Sequence, residues 1–587
     1  MRKIVEKSML GNAWTVLNEL EDGKISTDTQ TLIKNILKGR GIEGDENIEN
    51  FLHPRVKKYM PDPFVLKDME RAINVIADSI CNGEKIAIYG DYDVDGITST
   101  AVLVKYLKSI NVDVSSHLPT REGEGYGLNI PAIEQIIDSG VKLMITVDCG
   151  VSGVKEVAFA KEHGLKVVIT DHHLPDSVLP DADAVVNPKR EDDTSGLTYL
   201  AGVGVAFLTL VALDRELRNR HFVEEKVKLK DYADFVALGT VCDTMPLIGL
   251  NRAFVASGLE VLNTQQNIGL KILMEKIKDK QKAKQYHVTV NDIGFGIGPR
   301  LNAAGRLDSA EPALKLLLTD NYLVADDLAR KLHDMNQERI DIQNSVMIDA
   351  VEKAKQAIAD GKKSLFVCGD NWHGGVMGII AGRLKEQFHL PTCVATRIDG
   401  VINGSGRSVN NVDLGKIVHE ALALGILSEG GGHAAAAGFT LNADKEQEFI
   451  DFFEKSVNEQ LNGEMPQYEI FVDMEMDSSA ANRNLIEQLS QMAPFGQGNQ
   501  EPVFVLYGTK LQYATRMGNG NHLRGSVLTS KGTILNFVGF NLVDTPIGDF
   551  LLDDMNTNTT IKMLGKLKEN EYNGRKEPQL VLEDIAI

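Results

Sequence analysis

Lys85–Gly90 reads KIAIYG and runs without a break into Asp91–Gly96, DYDVDG. A short, nearly continuous apolar run of this kind reads as a strand covered on both faces, and here acids follow at its carboxyl end. The same arrangement recurs twice. KLMITV runs into Asp148, and KVVIT runs into Asp171, His172 and His173. Helical patterns at Ile97–Ile110, Ile130–Ser139 and Val154–His163 separate the strands, so the order is βαβαβ and the economical fold is a parallel sheet with right-handed crossovers. Open sheets of this class bind ligands in the crevice at the carboxyl ends of their strands, which brings these acids together.

Beyond this unit, Tyr199 to about Leu318 reads as mainly helical. Tyr322 to about Asp360 is polar with periodic Leu, Ile, Val and Met and no Pro or Gly, which predicts one connecting helix. SLFVCG, GIIAGRLKEQF and TCVAT form a second α/β unit that closes near GGGHAAAAGFTL, followed by a helix at Lys445–Gln460. From about Tyr468, short strands alternate with turn signals such as MGNGN, SKG and YNG, which predicts a small β-barrel. The expected division is a helical lead-in over 1–82, a parallel-sheet domain over 83–320, a connecting helix over 321–361, a smaller α/β domain over 362–462 and the barrel over 463–587.

A chain of 587 residues accommodates about three to five domains, and 43% hydrophobic with 25% charged residues excludes wholesale disorder. The longest apolar stretch, Tyr199–Leu213, is shorter than the roughly 20 residues a membrane span needs. The N-terminus lacks the pattern of a secretory signal. Cys81, Cys149, Cys242, Cys368 and Cys393 are odd in number and contain no CxxC, which fits a reducing cytoplasm. The net charge of −20 repels a polyanion at long range, so any nucleic-acid contact must be a local, lined groove.

Five or six carboxylates in one crevice repel each other by several kcal/mol unless a cation sits among them. DYDVDG matches an EF-hand loop at positions 1, 3, 5 and 6, but position 12 is Val102 and a strand precedes it. A dinucleotide fingerprint fails on charge. Solvated helix caps explain one or two acids, not recurrence at three strand ends. A divalent-metal site accounts for all of them, with Asp93 and Asp95 aimed inward and Gly96 allowing the turn. Mixed Asp and His ligands suit Mn²⁺, with Mg²⁺ or Zn²⁺ as competitors. Two such ions sharing a carboxylate suit phosphoryl displacement. Asp243, after the apolar run DFVALGTVC, is either a further ligand or a residue of a helix C-terminal turn. Cys149 and Cys242 read as small buried side chains rather than thiolate ligands.

Phosphoryl transfer also needs cations or N–H groups for the phosphate oxygens. The candidates are Arg121, Arg300, Arg306, Arg383, Ser405 and Arg407; taken singly each Arg is more often a surface residue, the Gly-flanked Arg407 excepted. The glycines of NGSGRS would let backbone approach a ligand. GGGHAAAAG, around His433, fits either a nucleotide lying close to backbone or tight packing of a strand on a helix. Lys271, Lys276, Lys278, Lys280, Lys282 and Lys284 read as a solvated helix face. In the barrel, Tyr513, Arg516, His522, Arg524, Phe537, Lys562, Tyr572 and Arg575 interleave basic and aromatic types as single-strand binders do.

Taken in order, DYDVDG, VDCG, DHH and ALGTVCD resemble the four motifs of the DHH phosphoesterase superfamily, and GSGRS and GGGHAAAAG resemble its DHHA1 partner domain. HLPTREGEGYGL, LNAAGRL, WHGGVMGIIAGRLKE and PFGQGNQEPVF further resemble the RecJ family within it, from about Gly83 to the C-terminus. The resemblance implies an α/β fold: a parallel-sheet DHH domain and a smaller DHHA1 domain joined by a long helix, then a C-terminal OB-fold. It implies Asp93, Asp95, Asp148, His172 and Asp243 as ligands of two Mn²⁺ or Mg²⁺ ions, with Asp91 in support and His173 on the scissile phosphate. Arg121, Arg306, Arg383, Ser405, Arg407 and His433 would hold the 5′ phosphate and first nucleotides. The family's HPGV segment has Gly374 here, outside the catalytic set.

The implied activity is 5′-to-3′ exonucleolytic hydrolysis of single-stranded DNA by two metals, releasing 5′-mononucleotides in repair and recombination. The implied partner is single-stranded DNA with a 5′ end. A single-strand-binding protein or a helicase would be protein partners, and no membrane is involved. A further C-terminal domain of some longer relatives is expected to be absent. Two alternatives are a phosphodiesterase for short RNA or cyclic dinucleotides, which would usually lack the barrel, and an inactive replication scaffold, which would have lost the acids.

Overall fold

The computed structural model describes residues 1–17, 25–121, 123–125, 127–225, 227–278, 286–462, 468–572 and 575–587. Lys280, Lys282, Lys284 and the side chains of Tyr572 and Arg575 lie outside the described set. The chain forms two compact units. One comprises Pro54–Glu464 with Gly496–Asn499, and the other Met1–His53, Met465–Phe495 and Gln500–Ile587.

In the larger unit, strands β1 (Ile86–Tyr89), β2 (Val114–His117), β3 (Leu143–Val147), β4 (Lys166–Thr170) and β5 (Ala184–Val186) form an all-parallel sheet in the order β2-β1-β3-β4-β5. β1 and β3 are wholly buried, as their unbroken apolar sequences require. Helices α1 (Val94–Ser109), α2 (Ile130–Asp138) and α3 (Val154–Glu162) make the crossovers. The strand order reverses between β1 and β3, and such a switch point opens a crevice between the two strand ends. The DYDVDG loop leaves one of these strands and Asp148 the other.

Helices α4 (Gly202–Asn219), α5 (Ala233–Cys242) and α6 (Gly298–Leu307) follow, and α7 (Tyr322–Ala359) is the single long connecting helix. The second α/β domain has strands β6 (Leu365–Asp370), β7 (Thr392–Ile398), β8 (Val401–Arg407), β9 (Glu429–His433) and β10 (Ala436–Asn442), ordered β9-β10-β8-β7-β6. Helices α8 (Met377–Phe388) and α9 (Leu414–Ala423) pack on it.

The smaller unit holds a closed barrel. Phe504–Met517, His522–Leu528, Ile534–Gly539, Arg575–Ala586 and Thr560–Tyr572 pair in that order, and the last strand returns to the first. Closure leaves no free edges around the ring. Phe537 is fully buried and belongs to the barrel core, whereas Tyr513, Arg516 and Arg524 are exposed.

The expectation of a helical lead-in over 1–82 is corrected in its first part. Arg2–Val5 and Ala13–Val16 are strands, and the second pairs in parallel with Glu469–Val472. Buried Trp14 and a partner strand some 450 residues distant explain the difference, because a four-residue strand carries little periodicity of its own. Among the described residues, no helix is long and apolar enough to cross a membrane.

Candidate metal centre

Asp93 caps α1, its carboxylate accepting the N–H groups of Asp95 at 2.9 Å and Gly96 at 3.1 Å. Gly96 is required at this turn, since a Cβ there would lie 2.5 Å from the Asp91 backbone nitrogen. Asp95 is 1% exposed and accepts from Gly202 N at 2.6 Å and Val203 N at 2.9 Å, so the start of α4 fixes its carboxylate. Asp148 follows β3 with φ of 60°, a left-handed conformation that costs a non-glycine residue about 1–3 kcal/mol. A hydrogen bond from its N–H to Thr170 O holds it there.

Two glycines make room for these acids. A Cβ on Gly202 would lie 2.5 Å from Asp148 Oδ1, and one on Gly239 would lie 2.6 Å from Asp95 Oδ1. Helices α4 and α5 are therefore thinned where they pass the carboxylates. The sequence reading missed both positions, although a glycine inside an apolar helix is itself a signal of close approach.

His172 Nδ1 lies 3.0 Å from Leu200 O, which fixes Nδ1 as the donor and leaves Nε2 as a bare lone pair. Nε2 faces Asp148 Oδ1 at 3.1 Å, Asp243 Oδ2 at 3.6 Å and Asp95 Oδ2 at 3.8 Å. Burial drives the His172 pKa down to about 3, so the ring is neutral and acceptor faces acceptor. Asp91 Oδ1, Asp148 Oδ1, Asp243 Oδ2 and His172 Nε2 are all buried without a hydrogen-bond partner. Burial, then the neighbouring acids, pushes Asp91 up to about 8 and Asp243 to about 7, and raises Asp95 and Asp148 well above the ordinary range. Converging lone pairs of this kind fit divalent cations.

The groups fall into three overlapping sets: Asp91, Asp93 and Asp148; Asp148, His172 and His173; and Asp95, His172 and Asp243. Asp148 and His172 are each shared by two sets. Cys149 and Cys242 are held protonated by burial, with pKa values above the ordinary thiol range, and behave as packing groups.

Asp171 has a separate task that the sequence reading left unassigned. It accepts from His173 Nδ1 at 2.8 Å and from the N–H groups of His172, His173 and Val151. Burial opposes a charge on His173, yet the bond to Asp171 and the surrounding acids raise its pKa to about 9. Asn302, also unanticipated, ties α6 to the acid loop by accepting from Val94 N at 3.1 Å.

The basic candidates form a second group. The Arg121 guanidinium lies over the Tyr92 ring at 4.8 Å with its buried Nε unpartnered. Arg306 donates to Gly375 O at 3.0 Å, linking α6 to the second domain, and burial with its Arg121 and Arg339 neighbours lowers its pKa to about 10. Arg407 donates to Ser405 Oγ at 3.2 Å, and both approach the start of α8, where a Cβ on Gly378 would lie 3.1 and 3.2 Å from them. His433 lines up with Arg407 across the sheet, both registered on Ala436. Arg383 is an exposed residue of α8.

The reading of the NGSGRS glycines as a ligand approach is corrected. Gly404 is bare because Phe439 occupies its Cβ position, and Gly406 because Leu414 lies 2.5 Å away. Alternation along β8 puts these on the core side and Ser405 and Arg407 on the other. In GGGHAAAAG the packing explanation holds for Gly430, whose Cβ would meet Val418 of α9, and for Gly432, whose Cβ would meet the β10 backbone. Gly431 faces open space.

An acid cluster at the switch point of a parallel sheet, with a cation-bearing second domain joined by a long helix, defines a phosphoesterase of the DHH class. The chain matches the DHH family, N-terminal domain, over residues 85–240, the DHHA1 domain over 361–459 and the RecJ OB domain over 472–584. It is 34% identical to the single-stranded-DNA-specific exonuclease RecJ of Bacillus subtilis, over 95% of this chain and 68% of that protein. It is 33% identical to the RecJ of Escherichia coli, over 96% of this chain and 97% of that protein. RecJ of Thermus thermophilus in complex with Mn²⁺ superimposes with a TM-score of 0.79 at 27% identity, over 97% of this chain and 79% of that one. The same protein has been solved with Mg²⁺, at a TM-score of 0.74. The chain belongs to the RecJ family.

Proposed function

We propose that the chain hydrolyses single-stranded DNA from its 5′ end, releasing 5′-mononucleotides during DNA repair and recombination. The observation that carries this reading is the set of orphaned ligand atoms around Asp148, with Arg121 close enough to act on Asp91 and Arg306 close enough to feel Asp93. Asp93, Asp95, Asp148, His172 and Asp243, with Asp91 beside them, would hold two divalent ions, Mn²⁺ or Mg²⁺. When bound, the ions supply activation of a water and neutralisation of charge on the phosphate.

The chain's own groups do the rest. His173, cationic and oriented by Asp171, donates to a non-bridging oxygen of the scissile phosphate. Ser405 and Arg407 hold the terminal 5′ phosphate, while Arg121, Arg306, Arg383 and His433 orient the first nucleotides. The exposed Tyr513, Arg516 and Arg524 give the barrel a stacking and charge surface for the strand beyond. Five free thiols fit a reducing cytoplasm.

The test is digestion with Mn²⁺ of matched strands labelled at either end, beside an RNA oligomer and a cyclic dinucleotide. Early release of labelled mononucleotide from the 5′ end alone is expected. Preference for the cyclic dinucleotide, or release from the 3′ end, would overturn the reading.

A further inference from the structure

The buried face of α7 changes character along its length. Ala325, Ala329 and Leu332 belong to the core of the first domain, and Val346, Ala350 and Ala354 to the core around α8. Between them, on the same helical repeat, stand Asn336, Arg339 and Gln343. A helix that only joined two domains would keep this face apolar or leave it to water. Here Asn336 is 3% exposed and Gln343 is 1% exposed.

Arg339 donates to Asn336 Oδ1 and Gln343 Oε1, both at 3.1 Å, so two amides clamp one guanidinium. Its Nε and the Gln343 Nε2 remain buried without a partner. A donor left unsatisfied in the interior costs about 1–3 kcal/mol, so a ligand is the economical explanation.

The neighbourhood identifies the ligand's chemistry. Burial first, and then a like-charged neighbour, lowers the basicity of Arg306, which stands near Arg121 and Arg339, and of Arg339, which stands near Arg383. Among the described residues, the hydrogen bonds of Arg300, Arg306, Arg339 and Arg407 go only to neutral acceptors. In a chain of net charge −20, a group of arginines whose hydrogen bonds engage no carboxylate suits a polyanion. It extends beyond the terminal-phosphate group. The like-charged neighbour of Arg407 is Arg121, whereas that of Arg339 is Arg383, and Arg306 stands near both Arg121 and Arg339.

We propose that Arg339, clamped by Asn336 and Gln343, binds an internal phosphate of the strand, with the free Gln343 N–H donating to the same nucleotide. The site rests on the single-strand reading above and extends it. The connecting helix then serves as part of the binding surface, and a strand must be longer than a dinucleotide to engage it.

The test uses the full chain with Arg339→Ala, Gln343→Ala and Arg339→Lys. Affinity for a strand of about twelve nucleotides is measured by fluorescence anisotropy in EDTA across a salt series, beside turnover of a 5′-phosphorylated dinucleotide in Mn²⁺. Arg339→Ala should weaken binding of the longer strand about tenfold and reduce the salt slope by roughly 0.7, the loss of one contact to a single strand. Dinucleotide turnover should stay within twofold. Gln343→Ala should weaken binding severalfold with the slope unchanged, and Arg339→Lys should restore the slope. Unchanged affinity and slope in Arg339→Ala, or equal loss on both substrates, would each overturn the site. Failure of the single-strand reading is separate, since it would appear as wild-type protein that neither binds nor digests the longer strand.

Discussion

The Asp171 carboxylate stands 2.8 Å from His173 Nδ1 and also accepts the N–H of His173 itself, so one acid fixes both the ring and the backbone of that residue. It is the acid at the strand ends that the ligand sets leave out. Its work is to orient the His173 ring and favour its charge.

Asp171→Asn should therefore separate chemistry from metal loading. The amide keeps the size but no longer stabilises an imidazolium. Turnover should fall about 10²-fold or more, the usual range for losing a positioned proton donor. Mn²⁺ binding measured by calorimetry should stay within a few-fold of wild type. Undiminished turnover would show that the charge on His173 is not used.

Asp148→Asn tests the shared ligand. The substitution removes one of several mutually repelling buried carboxylates, so the metal-free protein should melt no lower than wild type. Calorimetry should show fewer Mn²⁺ ions bound per chain, and turnover should drop by orders of magnitude. Activity within a few-fold of wild type would remove Asp148 from the site.

Asp234, far along α5 from Asp243, supplies a pH effect unconnected with the metal. Burial pushes its pKa up to about 6 from the ordinary 3.8, against a hydrogen bond from Phe235 N. The stability it contributes is full below about pH 4 and is lost as pH rises through about 6. Asp234→Asn should match wild type in unfolding free energy near pH 4 and exceed it above pH 6, by up to about 3 kcal/mol. An equal difference at both pH values would refute the assignment.

Much of this was legible in the sequence because parallel core strands are continuous apolar runs and their ends carry the chemistry. IAIY, LMITV and KVVIT could be read directly. The strand Val114–His117, sequence VSSH, could not, because it is a half-buried edge strand, and Ala184–Val186 is only three residues long. The N-terminal strands were hidden for another reason. Ser8, Asn12 and Trp14 all donate to the buried Asp584, a relation that no local pattern carries. At the site, acids and histidines were visible by type, whereas Gly202 and Gly239 matter through what a Cβ would strike. Asn336 and Gln343 read as ordinary polar helix residues until their burial was known.

Direction is the property most exposed to a single substitution. The ions that the acid cluster would hold supply water activation without regard to strand direction, so polarity must come from how the strand end is held. Ser405 and Arg407 face the start of α8, where the missing side chain of Gly378 leaves room beside them. A terminal phosphate carries a charge of roughly −1.5 to −2, against one for an internal diester, and gains more from such a pocket. On the reading proposed above, a 5′ phosphate seated there would set the next linkage over the acid cluster, and each cleavage would generate a new 5′ phosphate to take its place. Arg407→Ala should slow digestion of 5′-phosphorylated strands at least tenfold more than of 5′-hydroxyl strands, narrowing the gap between them, while Mn²⁺ binding is unchanged. Equal slowing of both substrates in single-turnover assays would show that some other group sets the direction.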